Sequence, residues 1–228
     1  MPSVKKVLYF LSSALLSIGG VAILGYSMSA DWAQSTLACF PQNGSMDGGS
    51  VTIQMGLFNG SEEKIACPRF DFIDKVTVFD KLTTIGGAAI ILHALVLGLL
   101  IIALVGSAGS ILITLFNTVS NPYETYMGPI GLFVCSGLSA SLAFLALLLY
   151  LANMFGVKVA QKMVQLDSEV VVSDEKVTFL VGFYLLLPYI AVSLLAILLV
   201  YLYVHAAYTQ RREQEKPTED APKDIMMY

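Results

Sequence analysis

The segment TVSNPYETYMGPIGLF, residues 118–133, decides how the rest of the chain is read. It carries the helix breakers Pro122, Gly128 and Pro129 and one carboxylate, Glu124, while the flanking runs back to Lys81 and on to Lys158 contain no Asp, Glu, Lys or Arg. Two such apolar runs around a short polar breaker describe a hairpin of membrane-crossing helices, because about 20 apolar residues at roughly 1.5 Å rise cross the ~30 Å hydrocarbon layer. Proline removes an N–H that a helix interior needs but loses nothing in the first turn, so Pro122 suits the end of one helix and Pro129 the start of the next.

The same absence of charge recurs between Lys6 and Asp31 and between Lys176 and Arg211. In lipid every backbone polar group must be satisfied internally, and runs of this length favour helices over barrel strands. The spacing predicts four spans at 7–28, 85–107, 131–152 and 177–203, the second continuing helically toward Phe116. Between them fall a cytoplasmic segment 1–6, an extracellular loop 29–84 with β-strands, a cytoplasmic hairpin 108–130, a second extracellular loop 153–176 and a disordered cytoplasmic tail 204–228. The first run exceeds the ~7–15 apolar residues of a signal peptide and reads as a retained span. The expected fold is all-α, a left-handed four-helix membrane bundle with a small extracellular β-sheet from the first loop.

Composition agrees with a membrane environment. Of 228 residues 56% are hydrophobic and 13% charged, about half the ~25% charged share of soluble domains, and the mean hydropathy is +0.73. The net charge of -4 carries no basic stripe, which argues against nucleic acid as a partner. Three cysteines lack the paired spacing of a zinc site. P-loop, GxSxG and paired intramembrane carboxylate patterns are also missing from the sequence. We therefore expect no enzyme activity, no cofactor or metal and no small-molecule substrate; the expected partners are the bilayer and membrane-protein or cytoskeletal scaffold proteins.

Orientation rests on the loops. With both ends inside, the cytoplasmic side carries six Lys and Arg and the other side seven, so the positive-inside rule is nearly mute. Asn43-Gly44-Ser45 and Asn59-Gly60-Ser61 both match the glycosylation acceptor pattern and both fall in the first loop, which places that loop on the lumenal, outer side and the termini in the cytosol; the expected location is a multi-pass protein of the plasma membrane. Cys39 and Cys67 share the loop, where an oxidising compartment permits a bond. Bonded and free thiols both remain compatible with the spacing.

Val51, Ile53, Met55 and Leu57 alternate with Ser50, Thr52, Gln54 and Gly56, the period of a half-buried strand. Residues 36–40 and 69–73 are weaker strand candidates, and SEVVVSD at 168–174 suits an edge strand. Val157, Ala160, Met163 and Val164 keep helical spacing beyond the third span, either as an extension of it or as a solvated stub. Tyr9, Tyr26, Trp32, Tyr123, Tyr126, Tyr184, Tyr201 and Tyr203 fall at headgroup level and read as interface anchors.

Small residues form two lines at spacing four, Gly131, Cys135, Ser139 and Ala143 on the third span and Gly106, Ser110 and Thr114 on the second. Close backbone approach holds helices together in lipid, so both lines mark packing faces, within the bundle or between copies. His93 is ionisable inside a span, hence a functional candidate, against the plainer reading of a neutral imidazole hydrogen-bonded to a neighbouring helix. Pro188 predicts a kink. The final Met226-Met227-Tyr228 has hydrophobic residues at the last position and two before it, a pattern suited to strand addition on a PDZ-type scaffold.

Taken with MPSVKKVLYFLSS at the start, Trp32, GLFNG at 56–60, SNPYETYMGPIG at 120–131 and TQRREQEKPTEDAPKDIMMY at the end, the sequence resembles the clarin family. The resemblance implies a claudin-like tetraspan plan with cytoplasmic termini and a glycosylated first loop. It also implies association with membrane domains, actin-rich protrusions and sensory cells. Trp32, Gly56-Leu57-Phe58, Cys39 and Cys67 are similar to the claudin first-loop pattern, although Phe58 stands where claudins have Trp and Cys39 precedes the Gly-Leu pair. The expected function is a non-enzymatic organiser of partner proteins or membrane domains, with claudin-like adhesion or barrier activity, or an auxiliary channel subunit, as the alternatives.

Overall fold

The computed structural model describes residues 4–40, 49–65, 72–119, 128–167 and 171–214. Along the chain, α1 (Val4–Ser29) leads into four strands, β1 (Asp31–Phe40), β2 (Gly49–Gly56), β3 (Asn59–Ile65) and β4 (Phe72–Thr77). Then come α2 (Val78–Ile85), α3 (Gly87–Val119) and α4 (Pro129–Leu151), which ends in a π-helical turn, Ala152–Gly156. The short helix α5 (Val159–Asp167), strand β5 (Val171–Phe179), the single turn α6 (Val181–Tyr184) and α7 (Leu186–Gln214) complete the described chain. Among the described residues, four helices are long and apolar enough to cross a membrane.

Several expected boundaries move, each for a local reason. The second span begins later than residue 85, because Gly86 and Gly87 both take positive φ, +66° and +61°, where side chains are disfavoured, and this breaks α2 from α3. It also ends later: residues 108–119, assigned to the hairpin, extend α3, while 120–127 lie outside the described residues. Pro129 occupies the first turn of α4, after an extended Gly128. Val177–Phe179, expected to open the fourth span, instead pair with β1 as Ser35↔Val177, Gln34↔Thr178 and Ala33↔Phe179, since Val177 and Phe179 alternate with Lys176 and Thr178 at strand period. The tail's first part is not disordered, because α7 runs on through 204–214, a stretch without Pro or Gly.

The sheet is antiparallel, ordered β4-β3-β2-β1-β5, so its last strand comes from the second loop and not the first. In β1, Ala33, Ser35, Leu37 and Cys39 point inward at period two. A register shift between Asp31 and Ala33 lets Trp32 turn inward as well. The inner faces of β1 and β2, with Val51, Ile53 and Met55, join Val78 and Leu82 of α2 and Met163 and Val164 of α5 in one core that continues into the bundle through Leu24, Val96, Leu100 and Tyr189. α5 is thus neither a continuation of the third span nor a solvated stub. A π turn and Lys158 at φ 54° redirect the chain so that Val159, Ala160, Met163 and Val164 are all buried. At the opposite end of the bundle, Phe10, Leu132 and Val200 form a second, smaller cluster.

Candidate functional site

The site that the sequence organises is the junction between sheet and bundle, and Trp32 is its centre. The side chain expected at the lipid interface is fully buried, with its ring 4.8 Å from that of Tyr150 and 6.2 Å from that of Phe183, both edge-on. Its Nε1–H donates to the Ser27 carbonyl at 2.7 Å, while its own carbonyl accepts from the Leu180 amide at 2.8 Å. Ser27 Oγ in turn donates to the Gly182 carbonyl at 2.6 Å. One residue therefore binds the end of α1, the start of β1 and the entry to α6 together. Gly182 makes this approach possible, for a Cβ there would lie 2.5 Å from Trp32 Cδ1 and 2.8 Å from the Asp31 carbonyl.

His93 forms the second attachment. Its Nε2 lies 2.8 Å from the Leu57 carbonyl, an acceptor only, so Nε2 carries the proton. The ring also meets Phe79 edge-on at 5.4 Å. The plainer expectation holds in kind but not in place: the carbonyl belongs to the turn between β2 and β3, not to a neighbouring helix. From the same end of the bundle, Asn153 Nδ2 donates to the Ala89 carbonyl at 3.3 Å, joining the π turn to α3.

Two carboxylates of the sheet, Glu62 and Glu175, also belong to this end of the molecule, and no sequence motif marks either. Glu62 is buried on β3 and pairs with Lys64 at 3.1 Å and Lys81 of α2 at 3.6 Å. Glu175 on β5 accepts from Ser35 Oγ at 3.4 Å. Burial pushes its carboxyl above the ordinary glutamate value, against the opposing effects of that hydrogen bond and of the Lys158 charge. Glu62 gave no sequence signal because Asn59 to Lys64 is polar throughout and shows no hydrophobic period.

Among the residues singled out from sequence, Asn59 is exposed at the start of β3, whereas Asn43 and Cys67 lie outside the described residues. Cys39 is buried at the end of β1, opposite Gly49 and Val172. The two small-residue lines face each other across α3 and α4: a Cβ on Gly106 would strike Ser139 Oγ and lie 3.5 Å from the Cys135 carbonyl, and one on Gly131 would touch Ile113 at 3.4 Å. Ser110 and Ala143 are buried on the same two helices. Met226, Met227 and Tyr228 lie outside the described residues. Tyr189, also unforeseen, brings its hydroxyl within 2.7 Å of Ser107 Oγ and directs it at the Ala103 carbonyl, 3.5 Å away, joining α7 to α3.

No protein-family model matches the chain. It is 33% identical to Clarin-3 of Mus musculus and 31% identical to Clarin-3 of Rattus norvegicus, in each case over the whole of both chains. Clarin-3 of Homo sapiens is 30% identical, again end to end. The chain belongs to the clarin family. As a clarin with four apolar helices, it is a tetraspan membrane protein, and Trp32 and the hairpin, on which the resemblance was first drawn, fall within the matched length.

Proposed function

We propose that this clarin is a non-enzymatic organiser of the plasma membrane, with both termini in the cytosol and the sheet outside the cell, assembling partner membrane proteins around it. The observation that carries the reading is the double attachment of the sheet, through Trp32 to α1 and α6 and through His93 to α3. Attachment through buried groups holds the sheet in one relation to the bundle, which favours a platform that presents a surface over a loop that must be ordered at each encounter.

Around this platform we place glycans on Asn43 and Asn59 and a Cys39–Cys67 bond. Support for the bond is that Cys39 is engaged while Cys135 is a free thiol. The line of Gly106 and Ser110 against Gly131, Cys135, Ser139 and Ala143 serves packing within the bundle, supported by the close approach of α3 and α4. Met226-Met227-Tyr228 supplies the cytosolic contact with a PDZ-type scaffold by strand addition.

Proximity labelling from the Tyr228 end and from the 31–81 loop of the native protein tests the reading. We expect membrane proteins common to both sets, and scaffold proteins in the cytosolic set alone that disappear when Tyr228 is deleted. If, in mixed cultures, the loop labels only proteins of the apposed cell, the protein is an adhesion molecule and the organiser reading falls.

A further inference from the structure

Beside Asn59 the sheet forms a groove of about 450 Å³ lined by Asp31, Asn59, Gly60, Ser61, Lys75, Val76 and Thr77. We propose that this groove is a carbohydrate seat, occupied by the first N-acetylglucosamine units of a glycan that Asn59 itself carries, so that the sugar lies over the outer edge of β4. The proposal rests on the reading of Asn59 as glycosylated.

Register carries the argument. Asn59 pairs with Thr77 and Ser61 with Lys75, and alternate residues of a strand share a face, so these four side chains form one polar patch. Asn59, Lys75 and Thr77 are exposed, while Glu62, one residue out of phase, is buried on the opposite face. The patch supplies what hydroxyl and acetamido groups recognise: an ammonium donor, two hydroxyls that donate or accept, and the Asp31 carboxylate as acceptor. Because the sugar is tethered at the rim, its local concentration is high and modest contacts suffice to hold it.

The edge supplies the second reason. Among the described residues β4 pairs only with β3, and Ile73 on it is 71% exposed. An open edge of unpaired backbone groups invites strand addition, and natural sheets cover or blunt such edges. A glycan that starts on the neighbouring strand and crosses Thr77 and Lys75 covers this one.

Full-length protein from mammalian cells, purified in detergent, provides the test. Removal of a gel-mobility step by Asn59→Gln establishes occupancy; if Asn59→Gln migrates as the parent does, the glycosylation reading and the seat fail together. In an Asn43→Gln background with Asn59 occupied, endoglycosidase should cleave the core of the native protein about tenfold more slowly than that of the denatured chain, since cleavage must wait for local opening. Thr77→Val and Lys75→Ala should each restore much of that rate. Thr77→Val is a mild change, because Thr77 precedes α2 without a side-chain capping bond. Enzymatic deglycosylation should also speed amide exchange in β4. Equal native and denatured rates overturn the seat while leaving glycosylation intact. Slow cleavage that neither variant relieves overturns it too, by showing that something other than the groove protects the sugar.

Discussion

At residue scale the junction turns on contacts that admit no spare atoms. Gly182→Ala would put a methyl group 2.5 Å from the Trp32 ring, and forced repacking of this kind costs about 1–3 kcal/mol. Trp32 is the chain's single tryptophan, so its fluorescence reports on the junction alone. We expect Gly182→Ala to lower the melting temperature in detergent and shift the emission to the red; unchanged emission with unchanged stability would contradict the packing. His93→Leu keeps the volume but orphans the buried Leu57 carbonyl, which should cost about 1–3 kcal/mol, read as earlier denaturation. Glu175 gives a pH signature. Its raised carboxyl pKa means that the folded state binds the extra proton, so stability falls as pH rises through the window from the ordinary glutamate value to the raised one. Glu175→Gln should flatten that fall, as melting temperatures across the acidic range would reveal.

At the scale of elements, the α3–α4 seam and the lipid-facing side of α1 offer a matched pair of tests. Gly106→Val drives a branched side chain into Ser139 and Cys135, whereas at Gly19 nothing lies within 4 Å. The first should aggregate or unfold early in size-exclusion and thermal assays and Gly19→Val should not; equal behaviour would show that close approach does not hold the two helices. Charge-free length revealed the spans, because lipid imposes it on any crossing helix. Alternation revealed β2, because one of its faces is buried and the other is not. β3 shows no hydrophobic period because its inward positions are Gly60, Glu62 and Lys64, with Glu62 buried beside Lys64 and Lys81. From sequence Trp32 reads as an interface anchor, since an indole just past a span looks the same whether it faces lipid headgroups or an aromatic core. The Gly86–Gly87 break carried a readable signal, two consecutive glycines before an apolar run, that run length alone overrode.

Across the whole molecule the helices and sheet share one core, which passes from Val51 and Leu57 through Trp32 and Tyr150 to Val96 and Leu100. Orientation follows for all elements at once if it follows for any. Endoglycosidase should therefore increase gel mobility, and protease added to sealed cells should cut within the first loop while sparing an epitope tag after Tyr228. The expected plan and the described one agree on four apolar helices and a small sheet, but the sheet's closure is not visible from the first loop, since its fifth strand is supplied by a segment on the far side of two membrane crossings. That closure bears on biogenesis. β1 lies between β2 and β5, and the Ser35–Glu175 contact joins positions 140 residues apart. While the ribosome is still making α4, β1 has a bare flank, and Trp32 lacks both the Leu180 amide and the Phe183 ring. A premature stop late in the message, ahead of residue 171, therefore leaves three inserted helices with an unfinished sheet, and cellular quality control should discard that product as readily as a much shorter one.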